Sequence, residues 1–379
     1  MRDLADLFQS DIEDVHGTGV LPSQALKAAI ARRWILSQTP IEAVQIQPAS
    51  LDLRLGHEAW RVNASFLPGP ASTVEEKLDR LATDRFALGD GAVLERGCVY
   101  IVPLQERLDL RKRMSGMANP KSSIGRLDVF ARVITDKGVQ FDNIPEQYEG
   151  PLYLEVAPRT FSIRVRPGSK LAQVRLRRGS PPSSEKLHKD LQRQHGIVSG
   201  DSAPDITDRG ITFTVDIKGE KDGSIIGFRA RKYAGLIDVD KVAAYDPREF
   251  WEPLHSRDGR GLVLDPEHFY ILASKENVVV PPTHAAEMLA YDTLVGEFRV
   301  HYAGFFDPGF GHQSTGGEGT RAVLEVRSHE VPFLIEDGQT VGRLAYERLA
   351  APPEVLYGAE VGSYQRQRLA LAKHFRPWT

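Results

Sequence analysis

The sequence predicts an all-β chain with a few helices, arranged as two tandem β domains. Three observations carry that expectation. The chain has 379 residues, enough for two ordinary domains each with its own core. Short apolar stretches alternating with period two are punctuated by Gly and Pro at short intervals, which favours barrels or sandwiches over a βαβ layout. Finally, a strand–turn–strand pattern occurs twice. Leu152–Tyr153–Leu154–Glu155–Val156 precedes Arg166–Pro167–Gly168, and Val323–Leu324–Glu325–Val326 precedes Glu336–Asp337–Gly338, with Glu155 and Glu325 set 170 residues apart.

Taken in order, strands are expected at Val44–Gln47 and Ser50–Leu55, then at Cys98–Val102, Leu152–Val156, Phe161–Val165 and Leu171–Leu176. Helical spacing is confined to Pro22–Trp34, Val74–Ala82, Thr283–Ala290 and the tail Gly362–Phe375. The repeat extends beyond the Glu strands. Val93–Leu94 with Tyr100–Ile101 matches Val263–Leu264 with Tyr270–Ile271, and Ser50–Leu53 matches Thr214–Ile217. The division is therefore 1–195 and 196–379, joined through a loop-like stretch from Gly196 to Asp208.

Composition narrows the function. With 41% hydrophobic and 26% charged residues the chain reads as soluble, and no apolar run approaches the roughly 20 residues that span a bilayer. The first residues lack a basic then apolar leader, so the expected location is the cytoplasm. A net charge of −3, from 48 basic and 51 acidic residues, gives no global attraction for nucleic acid. The single cysteine, Cys98, excludes an internal disulfide framework and a Cys-rich zinc site, and the histidines show no metal spacing.

The candidate chemistry lies in two places. Lys121–Ser122–Ser123–Ile124–Gly125–Arg126 gathers two cations, two hydroxyls and a glycine, the groups that hold a phosphate. The matching stretch of the second unit, Leu289–Glu297, has acids instead, so the two units serve different ends. Glu155 and Glu325 sit in strands among apolar residues, and a Glu partly desolvated in a pocket would be able to move protons near neutral pH. Asp142 and Asp307 each occupy the turn before such a strand, and Gly309–Gly319 reads as a glycine-rich hairpin.

In order and spacing, Gln47–Pro48–Ala49–Ser50–Leu51–Asp52–Leu53–Arg54–Leu55–Gly56, the Lys121–Arg126 cluster, a Phe-Asp turn and a Leu-Glu strand resemble the dCTP deaminases of the trimeric dUTPase superfamily. The tail Tyr357–Gln367 looks like their C-terminal lid, with Ser363 where the family has Lys, and the whole resembles the long, duplicated form. The resemblance implies two dUTPase-like (β-clip, distorted β-barrel) domains. It implies that Ser122, Ser123 and Arg126 hold the triphosphate and orient water, with Lys121 beside them in place of the usual Arg. Asp142 and Tyr148 would meet the sugar, Ala303 and Asp307 would read the pyrimidine, and Tyr357 and Gln367 would close the site. The substrate would be dCTP, brought with its Mg²⁺ and converted to dUTP and ammonia without zinc, in a homo-oligomer with sites at domain interfaces.

Two pairings of the surviving cluster stay open, Arg126 with Glu155 or Arg126 with Glu325. The full motif set of its own unit tips the balance slightly to Glu155, against the closer base-reading turn beside Glu325. A dUTP diphosphatase, a bifunctional deaminase and diphosphatase, and a non-catalytic nucleotide-binding regulator are the alternatives.

Overall fold

The computed structural model describes residues 17–180, 183–200, 203–257, 260–290, 298–300, 304–328, 330–359 and 367–378. Each unit is built from antiparallel strands. In the first, Val99–Asp109 pairs with Glu149–Pro158, which pairs in turn with Val129–Thr135, while Glu58–Val62 and Ala82–Ala87 extend the other edge. The second sheet of that unit centres on Lys170–Arg178, flanked by Met114–Pro120 and Leu51–Arg54.

The second unit repeats this pairing order. Phe269–Val278 pairs with Thr320–Ser328, and Thr340–Arg348 lies between His284–Ala290 and Gly210–Thr214. Even the register recurs: Leu154 faces Val102 in the first unit and Leu324 faces Leu272 in the second. The all-β expectation holds, with helices at Ser23–Ala31 and Val74–Leu81 where the spacing places them. Thr73 caps the latter by accepting from the Glu76 amide while Glu76 returns the bond, a reciprocal cap that fixes where the helix starts.

Three local expectations differ from the fold. Thr283–Ala290, read as helical, is the strand His284–Ala290. Its alanines, Met and Glu favour a helix in isolation, but a long ladder to Thr340–Arg348 and a short one to Phe305–Phe306 satisfy its backbone in the extended form. Val44–Gln47 is a 3₁₀ turn over Ala43–Gln45, held by the reciprocal Glu42–Gln45 cap. In the tail, 360–366 lies outside the described residues and Gln367–Phe375 runs without a helix. The helix Glu185–His195 was not expected; Ser184 caps it and its Leu191 joins the second unit's core.

The two units share apolar contacts. Phe228, Ile237, Phe250, Trp251 and Phe375 of the second unit belong to the same buried cluster as Phe161 and Ile163 of the first. Phe161 packs edge-on against Phe250 and Trp251, with ring centroids 5.7 and 5.6 Å away. Ile237–Asp238 adds a parallel strand to Ile163–Val165. A seam this apolar holds the units in one relative position, which matters because the site spans it.

Candidate active site

A cavity of about 530 Å³ opens between the units, lined from both sides. From the first unit come Asp52, Lys121, Ser122, Ser123, Arg126 and Lys170; from the second, Phe305, Asp307, Glu325, Tyr357, Gln367 and Lys373. It falls within the size range of small-molecule sites.

The cationic cluster sits on a single helical turn, Ser122–Gly125, entered through Lys121. The Arg126 amide donates to the Ser122 carbonyl at 3.1 Å, which folds the arginine back over the turn and into the cavity. Lys121 Nζ pairs with both carboxylate oxygens of Asp52, so the lysine is placed by a residue of the Leu51–Arg54 strand. Lys170 and Lys373 add further cations, and the Lys373 pKa is lowered by burial and by neighbouring Lys121. Such a set of donors suits a polyphosphate.

Opposite it stands Glu325, 4% exposed, with Oε1 3.8 Å from Arg126 Nε. Burial raises its pKa to about 7, although Arg126 and its own backbone amide pull the other way. Desolvation wins because the contact with Arg126 is long, whereas a close bidentate pair would hold a carboxylate well below neutrality. Arg126 is fixed from a third direction: Nη1 donates to Gln367 Oε1 at 3.1 Å and to the Ala370 carbonyl at 3.2 Å. The C-terminal segment therefore reaches the cluster as the lid resemblance implies, although the lid residues 360–366 lie outside the described residues.

The third wall is aromatic. Phe306 packs on Phe310 at 5.1 Å between centroids, and Phe310 packs on Tyr357 at 5.6 Å. Gly309 permits that stack. Its φ is +98°, and a Cβ there would lie 2.9 Å from the Tyr357 carbonyl oxygen. The stretch Gly309–Gly319, expected as a glycine-rich hairpin, is instead a loop with a 3₁₀ turn at Gln313–Thr315, because its flanking strands pair with other strands; the Gly319 amide donates to the Gly311 carbonyl, and Phe310 lines the cavity.

Asp307 is buried in this wall, and burial raises its pKa against the opposing pull of Arg175. Arg175, from the first unit's Lys170–Arg178 strand, donates to Asp307 Oδ1 at 3.1 Å and to the Ala286 carbonyl at 3.0 Å, with its guanidinium 4.0 Å from the Phe305 ring centroid. It pins the second unit's turn from across the seam. Sequence reading missed Arg175, and it missed Lys170, Gln173, Asp240 and Lys373, which share the cavity. Gln47, Asp52 and Phe310, also on its lining, lay within quoted stretches without being assigned a role. Arg175 carries one signal, a charge in a strand whose neighbours Leu171, Ala172, Val174 and Leu176 are all core residues.

The structure thus brings Lys121, Ser122, Ser123, Arg126, Asp307, Glu325, Tyr357 and Gln367 together. Ala303 lies outside the described residues. Asp142, Tyr148 and Glu155 do not line the cavity. Glu155, fully buried, accepts from Nε of its own unit's Arg132 at 3.0 Å and also from Nη2. That guanidinium sits 3.8 Å from the Phe141 ring centroid. Asp142, at φ +61°, accepts the Val133 amide at 2.7 Å, and burial raises its pKa to about 7. The Tyr148 hydroxyl accepts the Asp136 amide and donates to the Pro151 carbonyl, bracing a hairpin. Among the described residues no group of three or more His, Cys, Asp or Glu is placed to hold a metal ion, and no helix is long and apolar enough to cross a membrane.

Fold and site define a two-domain β protein with a cluster of cations and hydroxyls facing a buried carboxylate across the domain seam. Comparison with known proteins gives the family. Residues 17–180 match the model of the 2'-deoxycytidine 5'-triphosphate deaminase N-terminal domain, and 183–375 that of its C-terminal domain. A crystal structure of 2'-deoxycytidine 5'-triphosphate deaminase from Agrobacterium tumefaciens superposes with a TM-score of 0.83 at 53% identity, covering 88% of this chain and all of that one. The dCTP deaminase, dUMP-forming, of Corynebacterium glutamicum (strain R) is 30% identical over 154 residues, 38% of this chain and 77% of that protein. The protein of the same name from Persephonella marina is 24% identical over 183 residues, 48% and 95% of the two chains. The chain belongs to the dCTP deaminase family.

Proposed function

We propose that the chain hydrolyses dCTP to dUTP and ammonia at a cavity shared between its two units, with Glu325 as the general base. The observation that carries this reading is the buried Glu325 held 3.8 Å from Arg126, with a pKa near 7, in the cavity that also collects the phosphate-binding cations. Removing the amino group from C4 of cytosine needs an activated water, a proton for N3 and a route for ammonia. A carboxylate poised near neutrality can take the proton from water and return it to N3. Arg126 keeps Glu325 from drifting still higher and faces the developing negative charge.

Lys121, Ser122, Ser123, Lys170 and Lys373 would hold the triphosphate, which arrives with its own Mg²⁺ as part of the substrate. Phe305, Phe306 and Phe310 would flank the pyrimidine, with Asp307 at its edge. No step calls on zinc. On this reading the units arose by duplication of one β domain, Glu155 is structural, and the enzyme works in the cytoplasm, its chains associating as the family resemblance implies.

Incubation with dCTP and Mg²⁺, assaying ammonia and pyrophosphate separately, tests the assignment. Ammonia without pyrophosphate is expected. Pyrophosphate alongside ammonia would place the chain with the relatives whose name states dUMP as product, and dCTP binding without either product would make it a regulator.

A further inference from the structure

A second cleft, of about 280 Å³, opens on the same seam away from the catalytic cavity. Its lining includes Arg96, Arg159, Lys232 and Arg327, with Glu267 as the lone carboxylate among the residues that line it. Three of these cations are exposed, and Tyr233 beside them is 85% exposed, with the Arg96 guanidinium 5.0 Å from its ring centroid. Tyr233 sits at a turn position with φ +61°, uncommon for so bulky a residue.

Arg327 gives the cleft a built floor. It is 9% exposed, and it reaches across the seam to the Asp128 carboxylate and to Thr160 Oγ1, the latter at 3.2 Å. Its Nε is buried without a hydrogen-bond partner. A buried guanidinium donor left unmatched is costly, and it leaves this lining arginine with hydrogen-bonding capacity that Asp128 and Thr160 do not use up. Counting Asp128 behind the floor, four cations face two carboxylates. His268, also on the lining, has its pKa lowered chiefly by burial and then by the nearby Lys232 and Arg229, against the pull of Asp265.

We propose that this cleft binds a phosphate-bearing small molecule, with its phosphates on Arg96, Arg159, Lys232 and Arg327. The ligand class follows from the donors: forked guanidiniums and a mobile ammonium match phosphate oxygens, and the cleft is too small for a folded partner. Asp128 and Arg327 stand two residues from Arg126 and Glu325 on their respective segments, so each cleft has its own cross-seam pair on the same two segments. The cleft is independent of the catalytic assignment, since none of its residues lines the first cavity.

Calorimetric titration of the full chain with inorganic tripolyphosphate in Mg²⁺-free buffer tests this, with two binding events expected. Replacing Arg96→Ala together with Lys232→Ala should weaken one event by about tenfold or more, the loss expected for charged hydrogen bonds, and leave dCTP turnover intact. Arg126→Ala should remove the other event. A single event in the wild type, or a double variant that binds as the wild type does, would overturn the proposal. Repeating the titration with ATP separates the sources. Tighter binding that Tyr233→Ala abolishes identifies a nucleotide, whereas equal affinity for both anions identifies phosphate groups alone.

Discussion

Glu155 and Glu325 occupy the same place in the two units, buried in the strand that pairs with Val99–Asp109 in one and Phe269–Val278 in the other. They differ in where their arginine comes from. Arg132 is the register partner of Glu155 on the neighbouring strand of the same sheet, and it closes on one carboxylate oxygen with two donors while lying over Phe141. Glu325 meets Arg126 from the other unit at 3.8 Å, and a cavity remains beside the pair. An arginine supplied from within the sheet fills the space above the carboxylate. One supplied across a seam leaves room for a ligand between the two walls.

The sharpest way to break this comparison is to neutralise each carboxylate in turn. Glu325→Gln should lower kcat by about 10²–10⁴-fold, the usual contribution of a general base, while Glu155→Gln should stay within a few-fold of wild type in steady-state assays of ammonia release. Loss of turnover in Glu155→Gln with retention in Glu325→Gln would reverse the assignment.

Removing the arginine of the closed pair tests its structural role. Arg132→Met strands a buried carboxylate and should destabilise the fold by ~2–4 kcal/mol, somewhat less than for a fully buried pair because Arg132 is one-third exposed. Urea unfolding would read this as a lower midpoint, with the turnover of the folded fraction unchanged.

Arg175 acts on the open site from behind. Arg175→Lys keeps the charge but cannot serve Asp307, the Ala286 carbonyl and the Phe305 face together, so KM for dCTP should rise about tenfold, roughly the value of one charged hydrogen bond, with kcat less affected. Equal losses in kcat and kcat/KM would mean that the turn acts in the chemical step instead.

The gentlest probe is pH. Because burial lifts Glu325 to about 7, its basic form is lost as pH falls through that value, so kcat should drop below pH 7 and approach tenfold per unit well under it. An acid limb at 4 to 5, the ordinary range for a carboxyl group, would show that Glu325 is not desolvated in the working enzyme.

Much of this was legible beforehand. The period-two stretches gave most strands, and the spacing of Glu155 and Glu325 gave the two units. The cluster from Lys121 to Arg126 was visible because its residues are contiguous. His284–Ala290 was misread because its composition suits a helix and only pairing with distant strands makes it extended. Arg175 had only the weak local signal of a charge among core residues and Lys373 had none; each gains meaning from a residue more than a hundred positions away.

The sequence by itself determined the β architecture, the two-fold repetition and the chemical inventory, since these rest on local periodicity, turn chemistry and the kinds of side chain present. Only the tertiary structure decided which carboxylate faces the cationic cluster. Glu155 and Glu325 have near-identical neighbours along the chain. What separates them is the apolar seam that sets Arg126 beside Glu325 and the register that seats Arg132 on Glu155, and both are relations between segments far apart in sequence.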